Sequence, residues 1–269
     1  MKKKDSGKKA LVTGGARGLG RLIALDLAKR GADICIVDIR EKDMEETKAE
    51  VEALGVKCFC LKVDLSTKTA CYKMVARAEK AMNGLDILVN NAGVVWNRDF
   101  MDMDDEMIQK TVQINLMAQM WGTRAALPGM LSQGSGIVIS ISSGTAFTGV
   151  PAMSVYCATK HALRGFFDSL RHELRMGKAG VDVIVAYPGY MDTKMFTGAK
   201  IPRLTSRFSA QKISDALMNA MDKGKEEVVV PFTLHGMDAS RLMLPPRYAE
   251  KVLEVTGMHK SFYGSKTVD

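Results

Sequence analysis

Seven short apolar runs recur along the chain, and helical patterns fill much of the ground between them. The runs are Ala10-Leu11-Val12, Ile34-Cys35-Ile36-Val37, Cys58 to Val63, Ile87-Leu88-Val89, Gly136 to Ile141, Val181 to Ala186 and Val228-Val229-Val230. A strand wetted on one face alternates apolar and polar residues. Near-continuous apolar strands are instead buried on both faces, as in a parallel sheet covered by helices. The helical stretches fit that layout. Gly18 to Arg30 offers Leu19, Leu22, Ile23, Leu25 and Leu27 as apolar faces. Lys42 to Leu54 is charged and closed by Gly55. Further helices are predicted over 104–131, with Pro128 ending or kinking it, and over 156–175 and 209–223. The expected fold is α/β: a doubly wound, mostly parallel seven-stranded sheet in a single domain over 1–269. Its first half, about 8–145, should differ in task from 146–269. Two stretches break the alternation: a loop over 190–208 and an irregular tail over 233–269 with Pro245-Pro246.

Composition narrows the class. With 269 residues, 46% hydrophobic and 25% charged, the chain can bury a full α/β core. Five scattered cysteines, an odd number without a CxxC, argue for free thiols in a reducing cytoplasm. Four histidines form no ligand cluster, so no metal is expected. No apolar run reaches the ~20 residues that span a bilayer, and the lysine-rich start lacks the apolar core of a signal peptide. The net charge of +8 reads as a solvated basic surface, welcoming to an anionic dinucleotide, rather than as a nucleic-acid site.

In doubly wound sheets, ligands gather beyond the carboxyl ends of the strands. The first strand runs into Thr13-Gly14-Gly15-Ala16-Arg17-Gly18-Leu19-Gly20. Glycines at 14, 18 and 20 permit a tight turn, close approach of a pyrophosphate and close helix packing. The helix that follows presents free N–H groups and its positive dipole end to phosphates. Asp38 closes the second strand, followed by Ile39 and Arg40. A carboxylate there accepts from an adenosine ribose and repels a 2′-phosphate, favouring NAD. Arg17 and Arg40 pull toward NADP, since either guanidinium can clamp that phosphate. Asp64-Leu65 ends the third strand, as acceptor for an adenine amino group or as a helix N-cap. Asn90-Asn91-Ala92-Gly93 ends the fourth, with small residues that let a cofactor lie against the sheet edge.

Tyr156 and Lys160 stand four residues apart, on one face of a helix. A lysine charge beside a phenol stabilises the phenolate, lowering a pKa that is roughly 10 in water. Tyr156 is thereby a candidate acid/base for a substrate oxygen.

These motifs together resemble the short-chain dehydrogenase/reductase family, with its Rossmann fold, from Thr13 to about Thr193. The elements stand in family order: TGGARGLG, DL at 64–65, NNAG at 90–93, Asn115, ISISS ending at Ser143, YCATK at 156–160 and PGYMDT at 188–193. The resemblance implies a tetrad. Tyr156 is the acid/base and Ser143 holds the same substrate oxygen. Lys160 lowers the tyrosine pKa and binds the nicotinamide ribose. Asn115 holds a relay water through a local distortion of its helix. Pro188 and Gly189 would lie beside the nicotinamide and Thr193 would bond its carboxamide, while Met191 replaces the usual branched aliphatic. Substrate contacts are expected from Met153 and Tyr190 and, in the 190–208 loop, from Met195 and Phe196 beside Ile201 and Leu204. The implied enzyme is an NAD-dependent dehydrogenase of a small apolar alcohol or ketone, resembling the branch that acts on hydroxysteroids, retinoids and other lipid alcohols. It should form a tetramer or dimer through its long helices. The alternatives are an NADP-linked carbonyl or 3-oxoacyl reductase and a non-catalytic dinucleotide sensor.

Overall fold

The computed structural model describes residues 3–191 and 208–256. Seven strands form one parallel sheet: β1 (Lys9–Thr13), β2 (Asp33–Asp38), β3 (Cys58–Lys62), β4 (Ile87–Asn90), β5 (Gly136–Ile141), β6 (Val181–Pro188) and β7 (Glu227–Val230). Their order is β3-β2-β1-β4-β5-β6-β7. Successive side chains feed opposite faces. In β2, Ile34 and Ile36 enter one core while Cys35 and Val37 enter the other. That double burial is why the strands read as unbroken apolar runs.

Helices α1 (Gly18–Lys29), α2 (Glu41–Glu52) and α7 (Ala210–Lys223) cover one face. The other carries α3 (Lys68–Met82), α5 (Ala118–Gln133) and α6 (Ser154–Met176). α3 is an addition to the helices read from the sequence. Thr67 caps it through Ala70 N, and Cys71, Met74, Val75, Ala78 and Met82 give it a buried stripe. The stretch predicted as one helix over 104–131 is α4 (Asp105–Val112), a π turn (Gln113–Met117) and then α5. Pro128 lies inside α5 without ending it.

The tail after β7 departs from the sequence reading. Over its described residues, to 256, it is not irregular but folds into α8 (Leu234–Met243) and α9 (Pro246–Thr256). Pro246 opens α9, where a missing N–H costs nothing. Among the described residues, no helix is long and apolar enough to cross a membrane, and the five cysteines are free thiols.

The chain changes direction across the sheet between β1 and β4, which pair side by side. Crossovers run outward from there on both sides, so the loops after β1 and β4 open a crevice between them.

Candidate active site

The loop after β1 is held from beneath. Thr13 Oγ1 donates to Val89 O at 3.1 Å and accepts from Asn91 N and Ala92 N at 2.9 and 3.1 Å. Asn91 Nδ2 donates to Thr13 O and Gly14 O at 2.9 and 3.1 Å. The amide of Asn91 thus ties the two sides of the crevice together. Gly14 and Gly18 both take positive φ, +63° and +57°. At Gly18 a Cβ would meet no protein atom within 4 Å.

Helix α1 begins without a side-chain cap. Its N-cap, Arg17, makes no capping bond, and no acid lies in its first turn. Helices α3, α4 and α7 are all capped by side chains, through Thr67, Asp104 and Ser209. Uncapped N–H groups above an open glycine are the donor set that a pyrophosphate fits. Leu19 turns its side chain into the core.

Asp38 is buried, not solvated. Its Oδ2 accepts from Ala16 N at 3.3 Å, and Oδ1 from Ile39 N and Arg40 N at 2.8 and 3.1 Å. Ile39, Arg40 and Arg17 are exposed around it. Asp64 is exposed and accepts from Ser66 N at 2.9 Å, while Leu65 is in the core. The cap of the next helix is Thr67, so the N-cap alternative for Asp64 does not hold.

Ser143 leaves β5 and opens a short 3-10 turn, Gly144–Ala146, with its Oγ accepting from Thr145 N at 3.2 Å. Tyr156 is buried, and its phenol lies close enough to the Ser143 hydroxyl to interact with it. Burial raises the phenol pKa above its ordinary value, and the neighbouring Ser143 hydroxyl acts against that rise. Lys160, only 4% exposed, sets its Nζ 5.4 Å from the Tyr156 ring centroid and donates to Ile141 O at 2.9 Å. Ser142 Oγ donates to Lys160 O at 3.2 Å, closing β5 onto α6. The sequence reading has Lys160 depressing the phenol. In the folded chain desolvation governs both groups, raising Tyr156 and driving Lys160 down to about 7.

A stability consequence follows for the chain without dinucleotide. Folded, Lys160 holds its proton only below about pH 7, whereas the unfolded chain holds it up to the ordinary 10.5. Between those values the unfolded state binds more protons, so this residue's contribution to stability rises with pH. Lys160→Met should remove that rise and increase Tm at neutral pH, because an apolar group replaces a buried cation. Thermal unfolding across the window measures it; a variant that melts with the wild-type pH slope contradicts the assignment.

Asn115, fully buried, sits in the π turn. Its Oδ1 accepts from Val94 N at 2.7 Å and its Nδ2 donates to Val94 O at 2.8 Å. The helix has a local distortion at this residue, and the Asn115 side chain bonds the backbone of Val94. In the π turn Ala118 N reaches back to Gln113 O. That register slip releases a backbone carbonyl from the helix ladder, and such turns recur at functional sites. Beyond Val94 the loop passes Trp96 and Asn97 to Arg98, whose N donates to Ala152 O at 3.0 Å. The Trp96 indole N–H and both amide atoms of Asn97 are buried without a hydrogen-bond partner. Sequence reasoning does not single out this pair, because only burial distinguishes it.

Pro188 ends β6, and Gly189 N donates to Val230 O at 2.7 Å. Met191 pairs with Phe208 in an isolated parallel bridge, and Phe208 N donates to Tyr190 O at 2.9 Å. Thr193, Met195 and Phe196 lie outside the described residues. Met153 packs in the core with Val150, Tyr156 and Cys157. Among the described residues no cluster of three or more His, Cys, Asp or Glu could hold a metal.

The family model described as short chain dehydrogenase matches residues 8–202. The chain belongs to this family. Among curated relatives of this short-chain dehydrogenase, the cattle (Bos taurus) short-chain dehydrogenase/reductase family 16C member 6 is 35% identical over 226 residues, 81% of this chain and 72% of the relative. The mouse (Mus musculus) estradiol 17-beta-dehydrogenase 11 is 30% identical over 250 residues, covering 93% and 84%. Among solved structures, a short chain dehydrogenase from Burkholderia cenocepacia in complex with NADP superposes with a TM-score of 0.78 at 30% identity, covering 84% of this chain and 97% of that one.

Proposed function

We propose that this oxidoreductase interconverts a secondary alcohol and a ketone on an apolar substrate, a hydroxysteroid or related lipid alcohol, with NAD(H). One observation carries the reading: Ser143, just past the end of β5, and Tyr156, in the first turn of α6, come together at the same sheet edge as an uncapped, glycine-lined helix start. The N-terminus of α1 would hold the pyrophosphate of a nicotinamide dinucleotide, which would supply or accept the hydride when bound. In reduction, Tyr156 gives its proton to the substrate oxygen while Ser143 donates to the same atom. In oxidation, Tyr156 takes the hydroxyl proton, so oxidation should gain from rising pH. Tyr156, Lys160, Asn91, Ala92, Gly93, Pro188, Gly189 and Met191 would border the nicotinamide half. Gly14, Ala16, Arg17, Gly18, Leu19 and Gly20 would border the phosphates.

Asp38 supports NAD over NADP. Three backbone N–H groups occupy most of its roughly four acceptor positions. The fourth remains for a ribose hydroxyl, and its charge opposes a 2′-phosphate. Arg17 and Arg40 favour the runner-up, an NADP-linked carbonyl or 3-oxoacyl reductase. The substrate class rests on the relatives, one of them an estradiol dehydrogenase. A cytoplasmic homo-oligomer, tetramer or dimer, completes the proposal.

The test is a panel of steroid, retinoid and short-chain alcohols assayed with both dinucleotides. Wild type should prefer NAD. Asp38→Asn, which keeps the shape and removes the charge, should move the NAD:NADP ratio of kcat/KM toward NADP by about tenfold, the equivalent of ~1.4 kcal/mol. A wild type that prefers NADP overturns the cofactor choice.

A further inference from the structure

The helix that follows β7 touches the site at two points. Leu234, the first residue of α8, is 4% exposed. A Cβ on Gly144 would lie 3.0 Å from both its methyl carbons, and a Cβ on Gly189 3.7 Å from Cδ1. Gly144 follows Ser143, and Gly189 follows Pro188. Leu234 therefore fills the gap between the loops after β5 and β6. One turn later, Asp238 accepts from Arg164 Nη1 and Nη2 at 2.8 and 2.7 Å. Arg164 lies one turn past Lys160 on α6, with its guanidinium 4.8 Å from the Phe147 ring centroid. Phe147 closes the turn that Ser143 opens, and its ring lies 4.8 Å from that of Tyr187, the residue before Pro188. Leu234 and Asp238, four apart, share one face of α8.

The Ser143 turn needs outside support. It is three residues of 3-10 helix, a conformation of poor hydrogen-bond geometry that is used only in short pieces. Gly144 brings no side chain of its own to pack. An exposed ion pair contributes little, but this one is bidentate and its guanidinium also lies on a ring, which fixes direction as well as distance. A displacement of ~1 Å in a catalytic group can cost about a hundredfold in rate.

We propose that α8 is a clasp that sets the position of Ser143 against Tyr156, with Leu234 as its wedge and Asp238 as its lock on Arg164 and Phe147. Both are positioning residues. The effect on turnover rests on the reading of Ser143 and Tyr156 given above; the effect on the turn does not.

The experiment uses the full chain and six variants: Leu234→Ala, Asp238→Asn, the volume-keeping Leu234→Met, Gly144→Ala alone and combined with Leu234→Ala, and Glu254→Gln on the exposed side of α9 as control. Hydrogen exchange over residues 142–150 is read beside kcat, KM and dinucleotide Kd. Leu234→Ala and Asp238→Asn should each speed exchange in that segment and lower kcat about tenfold, with dinucleotide Kd unchanged. Leu234→Met and Glu254→Gln should match wild type. Gly144→Ala, whose new methyl meets Leu234, should lose turnover, and adding Leu234→Ala should return part of it by opening that space. Unchanged exchange over 142–150 in both Leu234→Ala and Asp238→Asn overturns the clasp. So does faster exchange with wild-type kcat and KM. Should the wild type turn over no alcohol or ketone, the catalytic reading fails, and the exchange data still decide whether α8 holds the turn.

Discussion

Tyr156→Phe should lower kcat by about three orders of magnitude, within the usual range for losing a positioned acid/base, while dinucleotide affinity stays within about twofold. The substitution removes one oxygen from a fully packed site. Phenylalanine keeps the ring in the same core, with Val150, Met153 and Cys157. Ser143 keeps Thr145 N as a partner, so its turn has no new reason to shift. Lys160 keeps Ile141 O. What disappears is the hydroxyl beside Ser143 that would exchange a proton with a substrate oxygen. Losing the hydroxyl's interactions costs about 1 kcal/mol of stability, too little to unfold a domain of this size. Steady-state kinetics with calorimetric titration of the dinucleotide separates the two effects. Turnover within tenfold of wild type would remove Tyr156 from the chemistry. Loss of dinucleotide binding alongside turnover would assign it to the binding site alone. The same pair of measurements addresses the rival reading, a dinucleotide sensor, for which the hydroxyl should be dispensable throughout.

The strands were legible because burial on both faces leaves a plain signature: β5 carries Ile137, Val138, Ile139 and Ile141 with no alternation to confuse it. The glycine loop and the Tyr156–Lys160 pair were legible because their spacing is local, fixed by one turn or one helix. Contacts between distant segments were not. Asn115 bonds Val94 from twenty-one residues away, and no periodicity foretells that pairing. Lys160 reads as a charge beside a phenol; its depth in the fold, which lowers its own pKa to about 7, is set by packing from other elements. The tail misleads for a different reason. Pro245-Pro246 looks like a break, yet Pro246 is a helix start, and α8 holds its place through Leu234 and Asp238. Helix α3 carries an ordinary buried stripe with two cysteines' worth of ambiguity nearby, Cys60 before it and Cys71 within it, and lies just past a strand whose Lys62 blurs the boundary.

Substituting Gly20 and Gly18 in turn should separate fold from ligand. At Gly20 a Cβ would lie 2.5 Å from Asn91 Nδ2 and closer still to the carbonyl oxygen of Gly14. The second contact is with backbone, which cannot rotate away. Asn91 cannot yield cheaply either, because its Nδ2 already bonds Thr13 O and Gly14 O. Gly20→Ala must therefore push α1 off β1, an overpacking that costs about 3 kcal/mol and lowers Tm by about 6–12 °C. Gly18→Ala meets no protein atom; its cost is the left-handed φ of +57°, about 1–2 kcal/mol. The methyl would, however, stand in the open space beside the uncapped start of α1, where a pyrophosphate must approach closely. The two variants should thus diverge. Gly20→Ala loses mainly stability, and Gly18→Ala loses mainly dinucleotide affinity, by tenfold or more at a Tm only a few degrees below wild type. Calorimetric titration and thermal melts on both decide it. If Gly18→Ala binds dinucleotide as tightly as wild type, the phosphates do not lie against this loop, and the cofactor half of the site must be sought elsewhere along the sheet edge.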